Sequence, residues 1–280
     1  MVEIVAPIAF AAFLWWSTTG GILYLDSLPA RTFRASLAAA AIVMMAGFLV
    51  LAISSGDTTV SGAYLGFASA IAIWAFIEVS FLLGYVTGRK HRIPTNEGRP
   101  VAHFFQAIDT IIWHELLIVS AAAAVAVLSW NAPNPVGFWT FMILWAMRSS
   151  AKLNLHFGVR NLGTDLLPPH LAHFAHYLRR RSMNLLFPLS VTIATAVTIH
   201  VGGNAIAADD PAVRAGGLLL ATLLALGTLE HWLMVLPLSV DDIWSWAKRP
   251  AVMDATRIDP PASIQKTATE PASRVAVRAA

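Results

Sequence analysis

Positive charge in this chain is confined to alternate links between long apolar segments. Each segment is long enough to cross the ~30 Å hydrocarbon core of a bilayer, which requires about 20 helical residues. Seven segments can be delimited, at residues 4–25, 35–55, 62–87, 103–130, 136–158, 184–206 and 213–240. The chain is therefore expected to cross a membrane several times.

The distribution of charge between the links predicts the orientation of these segments. The links after the first, third and fifth segments, together with the C-terminal tail, hold nearly all of the Lys and Arg residues. The opposite links carry Asp57, Asp209 and Asp210, with Arg214 as their only basic residue. Cytoplasmic links are enriched in Lys and Arg. The pattern thus predicts an all-α membrane protein with seven transmembrane helices, a periplasmic N-terminus and a cytoplasmic C-terminus.

The composition agrees with a membrane protein and excludes several kinds of site. The chain is 57% hydrophobic and only 12% charged, which is about half the charged fraction of a soluble domain. It contains no cysteine, which excludes disulfides, thiolate catalysis and cysteine-ligated metals. The basic residues lie where membrane orientation requires them, so they do not indicate a nucleic-acid partner.

Two regions are predicted along the chain. Residues 1–248 are expected to form the seven-helix transmembrane domain, and residues 249–280 a disordered cytoplasmic tail rich in Ala, Pro, Thr and Ser. The third segment carries small residues four apart at both ends, namely Gly62 with Gly66 and Gly84 with Gly88. Such pairs allow close helix contact, so this helix is expected to be central.

The link between the fifth and sixth helices contains an amphipathic segment. After Pro168 and Pro169, residues 170–181 place Leu171, Phe174 and Leu178 on one helical face. We expect an interfacial amphipathic helix that lies on the membrane. Its membrane-surface residues are His170, His173, His176, Arg179, Arg180 and Arg181.

Ionisable residues inside the segments define a candidate site. Each costs about 2.5–3.5 kcal/mol at the centre of a bilayer and is a functional candidate by default. The predicted buried polar cluster consists of Glu78, Asp109, His114, Glu115, Arg148, Lys152, His156, Glu230 and His231. Four acids face two permanent bases in this set, which favours ion pairs and neutral carboxyl groups that fix helix register. The alternative is a ligand, ion or proton site.

The spacing within the fifth helix is the clearest feature of this cluster. Arg148, Lys152 and His156 are four residues apart, so they form one stripe along the helix. We expect this stripe to meet acids from neighbouring helices, although the sequence does not indicate which ones.

Familiar catalytic motifs are absent from the sequence. His114-Glu115 resembles the start of a zinc-protease helix, but Ile118 occupies the second ligand position. Single histidines in apolar spans can ligate the magnesium of a chlorophyll-type pigment or the iron of a haem. The alternative for each is a hydrogen-bonded core histidine. The candidates are His114, His156, His200 and His231. No catalytic residue and no metal site is assigned.

Several strings in the sequence resemble the PuhE-type photosynthetic complex assembly proteins of purple and related phototrophic bacteria. They cover about residues 10–240. The strings are Trp15-Trp16, Thr19-Gly20, Tyr24-Leu25-Asp26, Leu28-Pro29, Thr32-Phe33, Ser150-Ala151-Lys152-Leu153-Asn154, Gly158-Val159-Arg160-Asn161-Leu162, Leu167-Pro168-Pro169-His170-Leu171, Met183-Asn184-Leu185-Leu186-Phe187-Pro188 and Leu229-Glu230-His231-Trp232.

The resemblance implies a multi-pass protein of the inner, intracytoplasmic photosynthetic membrane, associated with the gene region of the reaction-centre H subunit. Such a protein would be a non-enzymatic assembly factor for the reaction centre and its core antenna, and would bind or deliver bacteriochlorophyll. Its partners would be the lipid bilayer, reaction-centre and light-harvesting subunits or other assembly factors. The alternatives are a membrane enzyme acting on a bacteriochlorophyll precursor and a proton-coupled transporter.

Overall fold

The computed structural model describes residues 1–89, 100–164 and 167–237, and in these ranges the fold is helical, with no strands. The helices are α1 Val2–Asp26, α2 Phe33–Ser54, α3 Val60–Leu82, α4 Pro100–Asp109, α5 Ile112–Leu128, α6 Val136–Phe157, α7 Leu186–Ala207 and α8 Pro211–Leu233. Two 3₁₀ helices, Ala30–Thr32 and Pro169–Tyr177, lie in the links. The predicted tail, residues 249–280, lies outside the described residues.

Five of the described helical stretches are long and apolar enough to cross a membrane, and α4 with α5 would make a sixth as a broken span. The five contain α1, α2, α3, α7 and α8. The fifth predicted segment corresponds to α6, which is not among them, since its C-terminal half carries Arg148, Lys152 and His156. The structure therefore supports a multi-pass membrane protein with five or six candidate spans. Seven spans and the orientation of the termini stay predictions.

Helix α3 is the centre of the bundle. It packs against α1, α2, α5, α6 and α8, and 67% of its most apolar stretch is buried, against 17% for the stretch that contains α2. The backbones of α3 and α6 approach closely at Gly66 and Gly137, where a Cβ on Gly137 would lie 2.9 Å from the Gly66 carbonyl oxygen. Glycine at these two positions permits the contact.

The second glycine pair of the third segment does not lie in a helix. Helix α3 ends at Leu82, and Gly84 then adopts φ +80°, a conformation that glycine accepts without steric cost. A Cβ on Gly88 would lie 2.3 Å from the carbonyl oxygen of Asp109. These glycines therefore serve a turn and a close backbone contact, whereas the sequence pattern had indicated helix packing.

The fourth predicted segment is broken. Helices α4 and α5 meet at an angle of 64° around Thr110. The carbonyl of Thr87 accepts hydrogen bonds from the backbone N–H groups of Trp113 and His114, at 2.9 and 3.1 Å. The chain that follows α3 thus satisfies the first donors of α5, which a helix start otherwise leaves without partners.

The segment predicted as a surface helix differs in form and in packing. It is a 3₁₀ helix that ends at Tyr177, four residues before the predicted end at Arg181. Leu171 and Phe174 are buried against Phe81 at the end of α3. The apolar face of this segment therefore packs on protein, because the end of α3 offers it an apolar surface.

Candidate ligand-binding cavity

A cavity of about 670 Å³ lies among the C-terminal halves of α1, α3, α6 and α8. Helix α4, the start of α5 and residues 167–178 complete its wall. Most of the lining is apolar, with Trp15, Trp74, Phe81, Phe104 and Leu223 among the larger side chains. Both the volume and the apolar walls are typical of small-molecule sites.

The stripe of α6 faces this cavity. Arg148, Lys152 and His156 all line it. Arg148 donates a hydrogen bond from Nη2 to Oε2 of Glu78 on α3, at 2.9 Å. Lys152 donates from Nζ to Oε1 of Glu115 on α5. Each base of α6 is thus paired with an acid from a different helix.

The two side chains of the Arg148–Glu78 pair differ strongly in exposure. The side chain of Arg148 is 43% exposed, whereas that of Glu78 is 8% exposed. Because Arg148 lines the cavity, part of its side chain is open to the cavity while Glu78 holds the guanidinium group through Nη2. The second oxygen of Glu78, Oε1, is buried and has no hydrogen-bond partner in the described part of the chain.

A third acid, Glu230 of α8, also lines the cavity. It forms a side-chain hydrogen bond with Trp15 and lies close enough to Arg148 and Glu78 to interact with both electrostatically. The described lining therefore carries three carboxyl groups and two permanent bases. Among the described residues, Glu230 has no basic side chain within ion-pair distance, and the indole N–H of Trp15 donates a hydrogen bond to it.

His156 is the only histidine among the described lining residues. Its Nδ1 lies 3.1 Å from the backbone carbonyl oxygen of Tyr177. A carbonyl oxygen only accepts hydrogen bonds, so Nδ1 carries the proton and the lone pair is on Nε2. This is the tautomer in which an imidazole serves as a metal ligand. The ring of His103 stacks on it, with centroids 5.4 Å apart.

Three members of the predicted cluster do not line the cavity. His114 is fully buried beside Phe81, and neither ring nitrogen has a hydrogen-bond partner within the described residues. His231 is held by Ser150 and by the Gly227 carbonyl. Asp109 lies before the break between α4 and α5, with Nε of Arg89 3.9 Å from its Oδ1.

The six predicted membrane-surface residues do not form one group. His170 donates from Nε2 to the Leu82 carbonyl oxygen at 2.8 Å, and the ring of His173 packs on Phe174. His176, Arg180 and Arg181 are exposed, and Arg179 and Arg181 line a second cavity with Asn184. No three metal-binding side chains in the described ranges are arranged to hold a metal ion.

An amide network beside the cavity was missed by the sequence analysis. The side-chain amide of Asn184 donates to the backbone carbonyl of Asn154 at 3.1 Å and to that of Gly158 at 3.0 Å. Its Oδ1 accepts from the N–H groups of Leu186 and Phe187 at the start of α7. An Asn directly before an apolar helix is a recognised capping signal, so its role at α7 could have been predicted.

Comparison with known proteins gives a consistent assignment. Residues 1–254 match the family described as "Protein of unknown function (DUF3623)". The chain is 38% identical over 254 residues to the "Uncharacterized 30.4 kDa protein in puhA 5'region" of Rhodobacter capsulatus, covering 86% of this chain and 89% of that protein. No solved structure matches the chain. On these matches, the chain belongs to the DUF3623 family.

Proposed function

We propose that this protein is an integral membrane assembly factor for the bacterial photosynthetic reaction centre and core antenna, and that its cavity binds or delivers bacteriochlorophyll. The relative from Rhodobacter capsulatus is described by its position in the puhA 5′ region, which supports a photosynthesis-related role. The observation that carries the pigment part of the proposal is the apolar 670 Å³ cavity with His156 in its wall.

The residues of the cavity fit a magnesium-containing pigment. The apolar walls would bury the hydrophobic body, and Nε2 of His156 would hold the metal, since its proton is on Nδ1. The other histidine candidates suit this role less well. His231 has partners at both ring nitrogens, His114 does not line the cavity, and His200 contacts Asn204 on an exposed part of α7.

Photosynthetic membranes are the place where such a factor would act. We place the protein in the inner, intracytoplasmic membrane, with reaction-centre and light-harvesting subunits or other assembly factors as partners. The five or six candidate spans support a membrane location. Within the bilayer, a pigment could pass between two proteins without contact with water.

A pigment assay of the purified protein tests the cavity. The protein is extracted in mild detergent, and bound species are identified by absorption spectroscopy and mass spectrometry. We expect bacteriochlorophyll to copurify, and His156→Leu to lower its amount at least about tenfold because the metal loses its ligand. His200→Leu is the matched control and should leave the amount unchanged. Equal pigment in both variants would remove His156 from the site.

A deletion strain tests the assembly role. Loss of the protein should lower the near-infrared absorption of assembled reaction-centre and antenna complexes without altering electron transfer in the complexes that do form. A normal membrane spectrum would contradict the proposal. A bound transition metal that is lost with histidine mutations would favour the enzyme alternative, and uptake driven by a proton gradient would favour the transporter.

A further inference from the structure

The mostly apolar wall of the cavity contains a few charged side chains. Arg148 and Glu230 are both exposed, although each lies between packed helices. Their exposed surface faces the cavity that they line. The contact with Glu78 uses one of the five N–H donors of Arg148, and a donor that faces an apolar space without an acceptor is costly. The part of the cavity wall around Arg148 and Glu230 therefore suits a polar group of a ligand.

The unequal exposure of the Arg148–Glu78 pair indicates which kind of group fits. The base is 43% exposed and the acid 8% exposed, so a ligand meets the guanidinium and not the carboxylate. Arginine offers only hydrogen-bond donors. Glu78 occupies one of its nitrogens and fixes the orientation of the planar fork. The group that binds there must accept hydrogen bonds.

The charges around this point favour a neutral acceptor over an anion. Glu78 already neutralises Arg148, and Glu115 neutralises Lys152. The third carboxyl group, Glu230 on α8, also lies near Arg148. A ligand carboxylate or phosphate would add a negative charge to a lining that already holds more acids than bases. A ketone or ester carbonyl accepts hydrogen bonds without adding charge.

We propose that the cavity wall around Arg148 is a recognition site for a carbonyl group of an apolar ligand, with Arg148 as the donor and Glu78 as the residue that positions it. This deepens the proposed function and rests on the cavity being its ligand site. Arg148 precedes His156 by eight residues, which is about 12 Å along the helix. A ligand held at both points lies lengthwise along α6 with its carbonyl group at Arg148.

The experiment uses the full-length protein in lipid nanodiscs and a single introduced cysteine. The chain has no cysteine of its own, so Ala151→Cys, on the cavity wall, provides a unique reporter. The rate of maleimide labelling at this position is measured with four probes of equal chain length at matched bilayer mole fractions. The probes are dodecan-2-one, dodecane, dodecanoate and dodecylammonium.

The ketone is expected to protect the cysteine at least about fivefold better than dodecane, since of these two probes only the ketone offers a hydrogen-bond acceptor to Arg148. The ratio of protection by the ketone to protection by dodecane should fall to about one when Arg148→Met is combined with Glu78→Leu. Removing both partners avoids leaving a buried unpaired acid, so this variant is expected to fold. The matched control is Lys152→Met combined with Glu115→Leu, which removes the other ion pair of the same wall and should keep the preference for the ketone.

Other results overturn the inference. Equal protection by ketone and dodecane would mean that no carbonyl is recognised. Strongest protection by dodecanoate would indicate an anion site, and strongest protection by dodecylammonium would indicate binding by Glu230. If the double variant kept the wild-type ratio of protection by ketone to protection by dodecane, Arg148 would not be the donor. None of these results bears on the deletion-strain test of the assembly role. Conversely, a normal membrane spectrum in the deletion strain would not contradict a measured preference for the carbonyl group.

Discussion

At the scale of single residues, two basic side chains of the cavity wall are ion-paired and still partly exposed to the cavity. Arg148 and Lys152 each have an acid from another helix, which offsets the cost of bringing charges among apolar helices. The pairs remain in contact with the cavity and are not sealed inside the protein. Such groups can therefore hold the helices in register and still meet a ligand.

The Lys152–Glu115 pair is expected to stabilise the bundle. The two side chains are 24% and 27% exposed, so Lys152→Met should cost about 1–3 kcal/mol, between the values for surface and fully buried pairs. The effect is measured as a fall in the thermal unfolding temperature in detergent. The control is Lys152→Met combined with Glu115→Leu, which should recover most of the loss because no unpaired charge is left. A double variant as unstable as the single would show that the pair contributes little.

Asn184 should be the most sensitive amide in the described chain. Asn184→Ala removes the cap of α7 and three donor contacts to Asn154 and Gly158, and we expect a loss of about 2–4 kcal/mol from the cap and the unsatisfied carbonyls together. Asn204→Ala, at an exposed position of α7, is the matched control and should change stability by less than about 0.5 kcal/mol. Similar unfolding temperatures for the two variants would contradict this role.

Helical spacing allowed part of the site to be predicted at this scale. The periodicity of α6 correctly places Arg148, Lys152 and His156 on one face, because that pattern is local. The choice of Glu78 and Glu115 as partners depends on how the helices pack, which spacing within one helix does not contain. Asp109 was grouped with these residues, but the break after it turns it towards Arg89.

At the scale of elements, the junction after α3, residues 82–89, contacts several elements of the cavity wall. The turn from Leu82 to Arg89 contacts the 3₁₀ helix through His170 and supports the start of α5 through Thr87. It also bonds to α4, since the Arg89 N–H donates to the Asp109 carbonyl oxygen at 2.9 Å. One short stretch of chain therefore positions three of the elements that line the cavity.

Gly88→Ala should disturb this junction. The added Cβ would lie 2.3 Å from the Asp109 carbonyl oxygen, a backbone atom that cannot rotate away, so we expect a cost of about 1–3 kcal/mol. Displacement of α4 should also raise the rate of maleimide labelling at Ala151→Cys. Gly203→Ala in α7 meets no heavy atom within 4 Å and should be neutral or stabilising by up to about 1 kcal/mol. Unchanged labelling in Gly88→Ala would show that the junction does not control access.

Two features of these elements could not be predicted from hydrophobic periodicity. The break between α4 and α5 depends on hydrogen bonds from Trp113 and His114 to Thr87, which is distant in sequence. The burial of Leu171 and Phe174 depends on the apolar end of α3. Periodicity identified their apolar face, but an apolar face suits lipid and protein equally well.

At the scale of the whole molecule, the main question is whether α6 crosses the membrane. The helix has 22 residues, the same length as α7, but is less apolar. Several of its polar side chains have partners on neighbouring helices, namely Glu78 on α3, Glu115 on α5 and Ser190 on α7. The mean hydropathy of a whole helix does not take these contacts into account. The charge of the links before and after α6 is a separate indication of whether the helix crosses the membrane.

Reporter fusions distinguish seven spans from six. With α6 as a span, alkaline phosphatase should be active after Asp57, Pro133 and Asp209, and silent after Arg160 and Arg180. If α6 does not cross but α4 and α5 together do, the fusions after Arg160 and Arg180 become active and the fusion after Asp209 becomes silent. That arrangement would put the three consecutive arginines, Arg179 to Arg181, outside and Asp209 with Asp210 inside. It would reverse the usual bias of cytoplasmic links towards Lys and Arg. We therefore expect the seven-span pattern, and phosphatase activity after Arg180 would contradict it.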